Sequence, residues 1–362
     1  MCKSRSDALP ASSVASRSRR SSATTTTTSS SSSSRPGPAS SSISGSTASA
    51  ASSSSSSLAA ARASLPDPPV LYPFHELAAA TNNFLAKRAP ASTYWPCTLR
   101  GHHAALFQLR RDTNKKPLLA ATARYHHTSL APLLGACLAG PHLYIAYELP
   151  PGAATLSACL RSPRNPNFTA LRTWLSRVQV AADVAQGLEY IHHHAGAVHG
   201  RVSSSTVLVS DPGLRARLTH MGAAQLAGTD DEEEPSREAD VRAFGLLLLE
   251  LLSGEQAATY RVRSVVETAA AALASGRVRS WVDRRLGDSF PQAVAERLLE
   301  VGLRCACACA STEEEERPPP PPPPEMTWVA GKISKAYLDS RAWDHTLQRP
   351  QADLSSVSLA PR

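Results

Sequence analysis

Residues 198–209, VHGRVSSSTVLV, put an imidazole, a guanidinium and four hydroxyls into a turn that feeds a short apolar strand. An arginine cannot accept a proton near neutral pH, so Arg201 excludes general-base chemistry at the centre of this turn. A second imidazole, His220, follows in residues 216–222, ARLTHMG, beside the flexible apolar Met221 and then Gly222. Hard divalent cations prefer oxygen ligands, so His220 does not supply a magnesium site. The adjacent imidazoles His192, His193 and His194 read as the polar end of a helix rather than as ligands converging from one face. Cys305, Cys307 and Cys309 read as packing residues, because on a helix the first and last share a face and Cys307 points away. No metal site is expected.

These residues need elements to hold them. Leu171, Leu175, Val178, Ala182, Ala185, Leu188 and Ile191 recur every three or four residues and predict an amphipathic helix that delivers the chain to the turn. Residues 238–254 predict a helix apolar on nearly every face, led by Asp240 and ended by Gly254. Residues 104–109, AALFQL, and 143–150, LYIAYELP, read as short strands.

Charge and composition bound the rest. The chain has 362 residues and a net charge of +8. Its first 66 residues carry seven cations against Asp7 alone, which leaves +2 for the remainder. A folded part so nearly neutral gives no electrostatic case for nucleic acid. Seven Cys without regular spacing argue for free thiols in a reducing compartment. The longest apolar run near a candidate helix, residues 243–249, is too short to cross a bilayer, and no transmembrane segment is expected. The Thr and Ser runs at 24–28, 29–34 and 52–57 cannot bury enough apolar surface to offset ordering, so residues 1–66 are expected to be a disordered tail. A transit peptide, and acylation of Cys2 beside Lys3 and Arg5 giving peripheral membrane association, are competing readings.

Residues 72–84, YPFHELAAATNNF, place Phe74, Leu77 and Phe84 where a short helix would bury them. With this lead-in, the turn 198–209, the segment 216–222 and the helix 238–254, the chain resembles plant receptor-like kinases. Residues 187–192, GLEYIH, are similar to LysM-type members. The resemblance continues through residues 281–286 and 295–305. It implies an α+β, bilobal fold: a small antiparallel-sheet lobe at 70–149, a mainly helical large lobe at 150–345 and a C-terminal tail at 346–362.

The resemblance also assigns roles. The proton-accepting Asp falls on Arg201, the metal-binding Asn on Thr206 and the magnesium-binding Asp on His220. The strand lysine falls on Gln108 and its glutamate partner on Leu118; residues 114–146 hold no acid at all. Where the family has a phosphate-binding glycine loop, residues 63–100 contain no Gly, and Tyr94 and Trp95 are expected to fill the phosphate space. Backbone groups at Glu148 and Leu149 stay open as an adenine hinge, so ATP without a metal is left open as the one cofactor. His199, Met221, Gly222 and Asp240 keep structural roles. Only seventeen residues, 223–239, separate Gly222 from Asp240, and the acidic run at 230–234 among them reads as a solvated linker. The seven consecutive prolines 318–324 read as a loop extension. The expectation is a catalytically inactive pseudokinase acting as an intracellular scaffold or allosteric partner of other kinases or receptor kinases. The expected place is the cytoplasm or the inner face of the plasma membrane, with an organelle as the alternative. The competing function is a weak or atypical ATP-dependent protein serine/threonine kinase.

Overall fold

The computed structural model describes residues 69–86, 88–89, 94–110, 125–161, 171–221, 235–255, 262–286, 289–307 and 322–348. The expected tail 1–66, Leu118, Gly222, Cys309, the acidic run 230–234 and prolines 318–321 lie outside the described residues.

The first sheet has strands β1 (Val70–Leu71), β2 (Tyr94–Leu99), β3 (His102–Arg110), β4 (Leu133–Ala139) and β5 (His142–Glu148), in the order β1-β4-β5-β3-β2. All pairings are antiparallel except β1 with β4, which is parallel. The small lobe is therefore mixed rather than antiparallel, because the chain enters along the open edge of β4 before its first helix. Two residues are too few to show an alternation in sequence. Gly135 permits the approach: a Cβ there would sit 2.0 Å from the Val70 carbonyl oxygen.

Strand alternation gives this sheet two buried faces. Ala105, Phe107 and Leu109 of β3 share one with Tyr94, Ile145, Tyr147 and, from the large lobe, Leu208. Ala104 and Leu106 share the other with Tyr72, Leu77, Trp95 and Tyr144. Helix α1 (Phe74–Ala80) covers the second face through Leu77, which is fully buried. Phe84 is half-buried against this face, but Phe74 is not buried as expected. Phe74 is 46% exposed and stacks on Phe84 with ring centroids 5.6 Å apart. The reason lies in the helix exit: Asn82, Asn83 and Phe84 all have positive φ, and Thr81 Oγ1 accepts from the Phe84 N–H at 3.1 Å. Asn tolerates the left-handed region, and the turn folds Phe84 back beside Phe74 and against Trp95.

The large lobe has a second sheet, β6 (Ala154–Thr155), β7 (Val207–Ser210) and β8 (Arg215–Leu218), in that order and antiparallel. Around it run helices α2 (Leu156–Arg161), α3 (Trp174–Glu189), α4 (Arg237–Ser253), α5 (Val262–Ala274), α6 (Val278–Trp281), α7 (Gln292–Cys307) and α8 (Met326–Gln348). Helix α8 runs three residues past 345, the expected end of the lobe. Thr173 caps α3 by accepting from Ser176 N–H at 3.1 Å, and Ser236 caps α4 by accepting from Ala239 N–H at 3.0 Å. Gly254 ends α4 in the left-handed conformation at φ 72°. Buried Arg177 of α3 ties this end down, donating to the Leu251 carbonyl at 2.8 Å and to Asp283 at 2.6 Å.

Helices α4 and α7 meet backbone to backbone. A Cβ on Gly245 would lie 2.6 Å from the Cβ of Cys305 and 2.7 Å from the backbone nitrogen of Ala306. Helix propensity alone favours alanine over glycine by about 1 kcal/mol. The contact reverses that sign: Gly245→Ala is expected to destabilise by about 1–3 kcal/mol. Gly331 in α8 has nothing within 4 Å of its would-be Cβ, so Gly331→Ala should stabilise instead. Urea-unfolding midpoints of the two variants check this pair of opposite signs.

Candidate functional site

Residues 198–206 form the turn between α3 and β7, and Asp240 at the start of α4 holds it. Asp240 Oδ2 accepts from the His199 backbone N–H at 2.7 Å, and Oδ1 accepts from the Gly200 N–H at 2.8 Å. His192 Nε2 lies 2.9 Å from Oδ2. A carboxylate only accepts, so that ring nitrogen carries the proton. His199 is fully buried, and its Nδ1 accepts from the Arg201 N–H at 3.1 Å, which fixes a neutral tautomer. Burial pushes its pKa down.

Thr206 closes the turn. Its hydroxyl donates to the Arg201 carbonyl at 2.8 Å and accepts from the Ser203 N–H at 3.0 Å. The Thr206 carbonyl accepts from both the backbone and the hydroxyl of Thr219, each at 2.8 Å. The Thr219 hydroxyl has thereby used its only proton, so the 2.7 Å contact with His220 Nδ1 has the imidazole as donor. His220 is neutral, with its pKa lowered to about 3 first by burial and then by the charge of Arg201.

The first sheet then descends on His220. The Phe107 ring meets the imidazole edge to face with centroids 4.4 Å apart, and Tyr94 packs behind Phe107 at 5.3 Å. The Tyr147 hydroxyl accepts from the His220 backbone N–H at 2.8 Å, and its ring lies 5.9 Å from the imidazole. Arg201, His220, Thr206, His199 and Asp240 are thus brought together, with Met221 packed against the large-lobe core. Arg201 is exposed at the rim.

Two expectations need correction, and a third is narrowed to the hinge carbonyls. Gln108 lies on the face of β3 opposite this site; Phe107 is the strand residue that faces His220. A register shift of one residue exchanges the two faces of a strand, and that is the size of the error. For the same reason Tyr94 faces the site while Trp95 turns away, stacked under Arg88 at 4.0 Å. The hinge donors are engaged already: the Glu148 N–H donates to the Pro132 carbonyl and the Leu149 N–H to the His103 carbonyl, both at 2.9 Å. Pro150, next in line, has no N–H. Phe107 and Tyr147 were missed as site residues, although the alternation of β3 and the position of Tyr147 at the end of β5 were both available in sequence.

Among the described residues no group of His, Cys, Asp or Glu is placed to hold a metal ion. The three adjacent imidazoles diverge: His192 turns to Asp240, His193 to Thr327 and His194 to Tyr190. No helix of the described residues is long and apolar enough to cross a membrane.

Residues 118–239 match the family model described as protein tyrosine and serine/threonine kinase. The chitin elicitor receptor kinase 1 of Arabidopsis thaliana is 30% identical over 66% of this chain and 43% of its own length. The LysM domain receptor-like kinase 3 of the same plant is 28% identical over 52% of this chain and 33% of its own. The chain therefore spans less than half the length of these two curated relatives. Among solved structures, the pseudokinase domain of BIR2, an immune regulator of the RLK/Pelle family, superposes with a TM-score of 0.57 at 23% identity. That alignment covers 79% of this chain and 90% of BIR2's, and it shows the shared fold.

Removing Asp240 leaves the buried His199 donor and the half-buried Gly200 donor unmatched, so Asp240→Ala should cost about 3 kcal/mol or more, whereas Arg201→Ala at the exposed rim should cost little. Thermal melts of the two variants give the order. A second prediction concerns acid. An unfolded histidine titrates near 6.5, and His220 holds its folded pKa far below that. The unfolded chain therefore takes up a proton that the native chain refuses, and stability falls as pH drops below about 6.5. Between pH 7.5 and 5.0 this group alone should account for about 2 kcal/mol. His220→Phe should flatten that part of the urea-midpoint profile relative to the unsubstituted chain.

Proposed function

We propose that this chain, whose protein-kinase domain is of the receptor-like kinase family, is a pseudokinase that serves as an intracellular scaffold or allosteric partner in plant receptor-kinase signalling. One observation carries the reading: the Phe107 ring packs directly on His220. Phosphoryl transfer by a kinase needs a lysine on that strand for the phosphates and an acid at the position of His220 for magnesium. Here two uncharged rings occupy both places and close the space between them. The cation of Arg201 disfavours a divalent metal nearby, and the single imidazole of His220 does not replace the oxygen ligands that magnesium prefers. With Arg201 in place of the base, no group is left to accept the proton of a substrate hydroxyl.

The hinge supports the same conclusion for the nucleotide, because the Glu148 and Leu149 amides are engaged and Pro150 offers none. Adenine is left with no free donor from these three residues, and the strand position that would supply a cation to its phosphates holds the Phe107 ring. What the fold keeps is its scaffold: the Asp240 network, the capped helices and the packed lobes. The solved pseudokinase of similar fold is described as an immune regulator, and a regulatory role suits a fold retained without its chemistry. The partners we assign are other kinases or receptor kinases, and the place is the cytoplasm.

The test is nucleotide binding and turnover by the full chain. ATP with magnesium or manganese should leave the melting temperature unchanged, and labelled phosphate should not be incorporated above background. Arg201→Asp alone should restore nothing, since the strand and metal positions stay blocked. A metal-dependent stabilisation by ATP, or incorporation that Arg201→Asp increases, would support an active kinase instead.

A further inference from the structure

Helices α7 and α8 border an open cleft of about 270 Å³ remote in sequence from the turn and its partners. Arg297, Glu300 and Arg304 of α7 and Trp328, Lys332 and Lys335 of α8 line it. The spacing is that of a helix face: residues three, four and seven apart fall on one side, so each helix turns its own set toward the other. The lining holds four cations to one carboxylate. Arg304 lies 4.5 Å and Lys332 5.5 Å from the centroid of the Trp328 ring, so that ring holds two of the cations in place. Arg297 is shared with Asp339 at 2.8 Å. Beneath them Leu298, Val301 and Ala336 form a buried apolar floor, and low polarity beneath a charged site strengthens its interactions. The folded part is nearly neutral as a whole, so this local excess of positive charge has a place and a shape.

We propose that this cleft binds a phosphorylated serine or threonine side chain of a partner protein. The argument is charge complementarity together with form. A phosphate ester carries close to two negative charges and three strong acceptor oxygens, which several convergent cations satisfy better than a carboxylate's single charge. The cavity exceeds what a bare phosphate fills, and the half-buried Trp328 offers apolar surface to the peptide that bears it. Lys332 and Lys335 are exposed and reach the ester, while Arg304 on the ring sets its position. The choice of phosphoserine and phosphothreonine rests on the reading above that the partner is itself a kinase, whose own chemistry makes these groups.

The experiment uses the full chain and a labelled peptide mixture with one fixed phosphoserine among randomised positions, against the same mixture with serine. Anisotropy titrations without nucleotide should show the phosphorylated mixture binding roughly ten-fold or more tightly. The double variant K332E/K335E should remove that preference and leave the unfolding midpoint unchanged. Equal binding of the two mixtures, or a preference that survives K332E/K335E, overturns the proposal. Three other occupants would overturn it as well. Inorganic phosphate displacing the peptide at equal concentration would mark a site for small anions. Vesicles containing phosphatidylserine binding in place of peptide would mark a membrane surface. A preference seen only after the four glutamates at 313–316 are changed to Gln would assign the cleft to the chain's own acidic run. Because no nucleotide enters this assay, its failure is separate from any failure of the inactive-kinase reading.

Discussion

The carboxylate of Asp240, only 1% exposed, accepts from two consecutive backbone amides and from His192, and this fixes the turn after α3 against the start of α4. A buried carboxylate is costly unless its oxygens are satisfied, and these three bonds satisfy them. From that anchor the order propagates by single donors. His199 accepts from Arg201, Thr206 closes the turn, Thr219 donates to Thr206, and His220 donates to Thr219. The last member of the series, His220, is thereby held with its ring against the first sheet.

At that point the protein exchanges charge for packing. A site that handles phosphate and metal must keep ionised groups facing one another across water. Here the facing groups are Phe107, Tyr147 and a neutral imidazole, with Tyr94 behind them. Rings of this kind gain about 0.5–1.5 kcal/mol per pair beyond the area they bury. They need no counter-ion and no ordered water. The same packing bridges the lobes, since Leu208 of β7 belongs to the cluster that contains Phe107 and Tyr147. The cleft contributes to stability through contacts that ligand entry would have to break.

Sequence made the large lobe legible because its signals are long. The apolar faces of α3 and α4 repeat over several turns, and Ser236 and Gly254 mark the ends of α4. The loss of chemistry at Arg201 and His220 was legible for a different reason: residue type alone decides whether a group can accept a proton or bind magnesium. What failed was register. The family's strand lysine falls on Gln108, yet Phe107 is the residue that faces the cleft, and a strand's two faces differ by one position. The parallel edge strand and the exposed Phe74 were hidden because they depend on a two-residue pairing and on three successive left-handed residues at 82–84. The basic cleft between α7 and α8 was hidden by counting: a net charge near zero conceals four cations brought together by two helices distant from the turn.

The central claim is that Phe107 and His220 are direct partners across the cleft. A double-mutant cycle measures it: the unfolding free energies of the unsubstituted chain, Phe107→Ala, His220→Ala and the double variant give the coupling between the two rings. Direct contact predicts a favourable coupling of about 0.5–1.5 kcal/mol. Strict additivity of the two single losses would mean that the rings do not touch in solution and that the cleft is open.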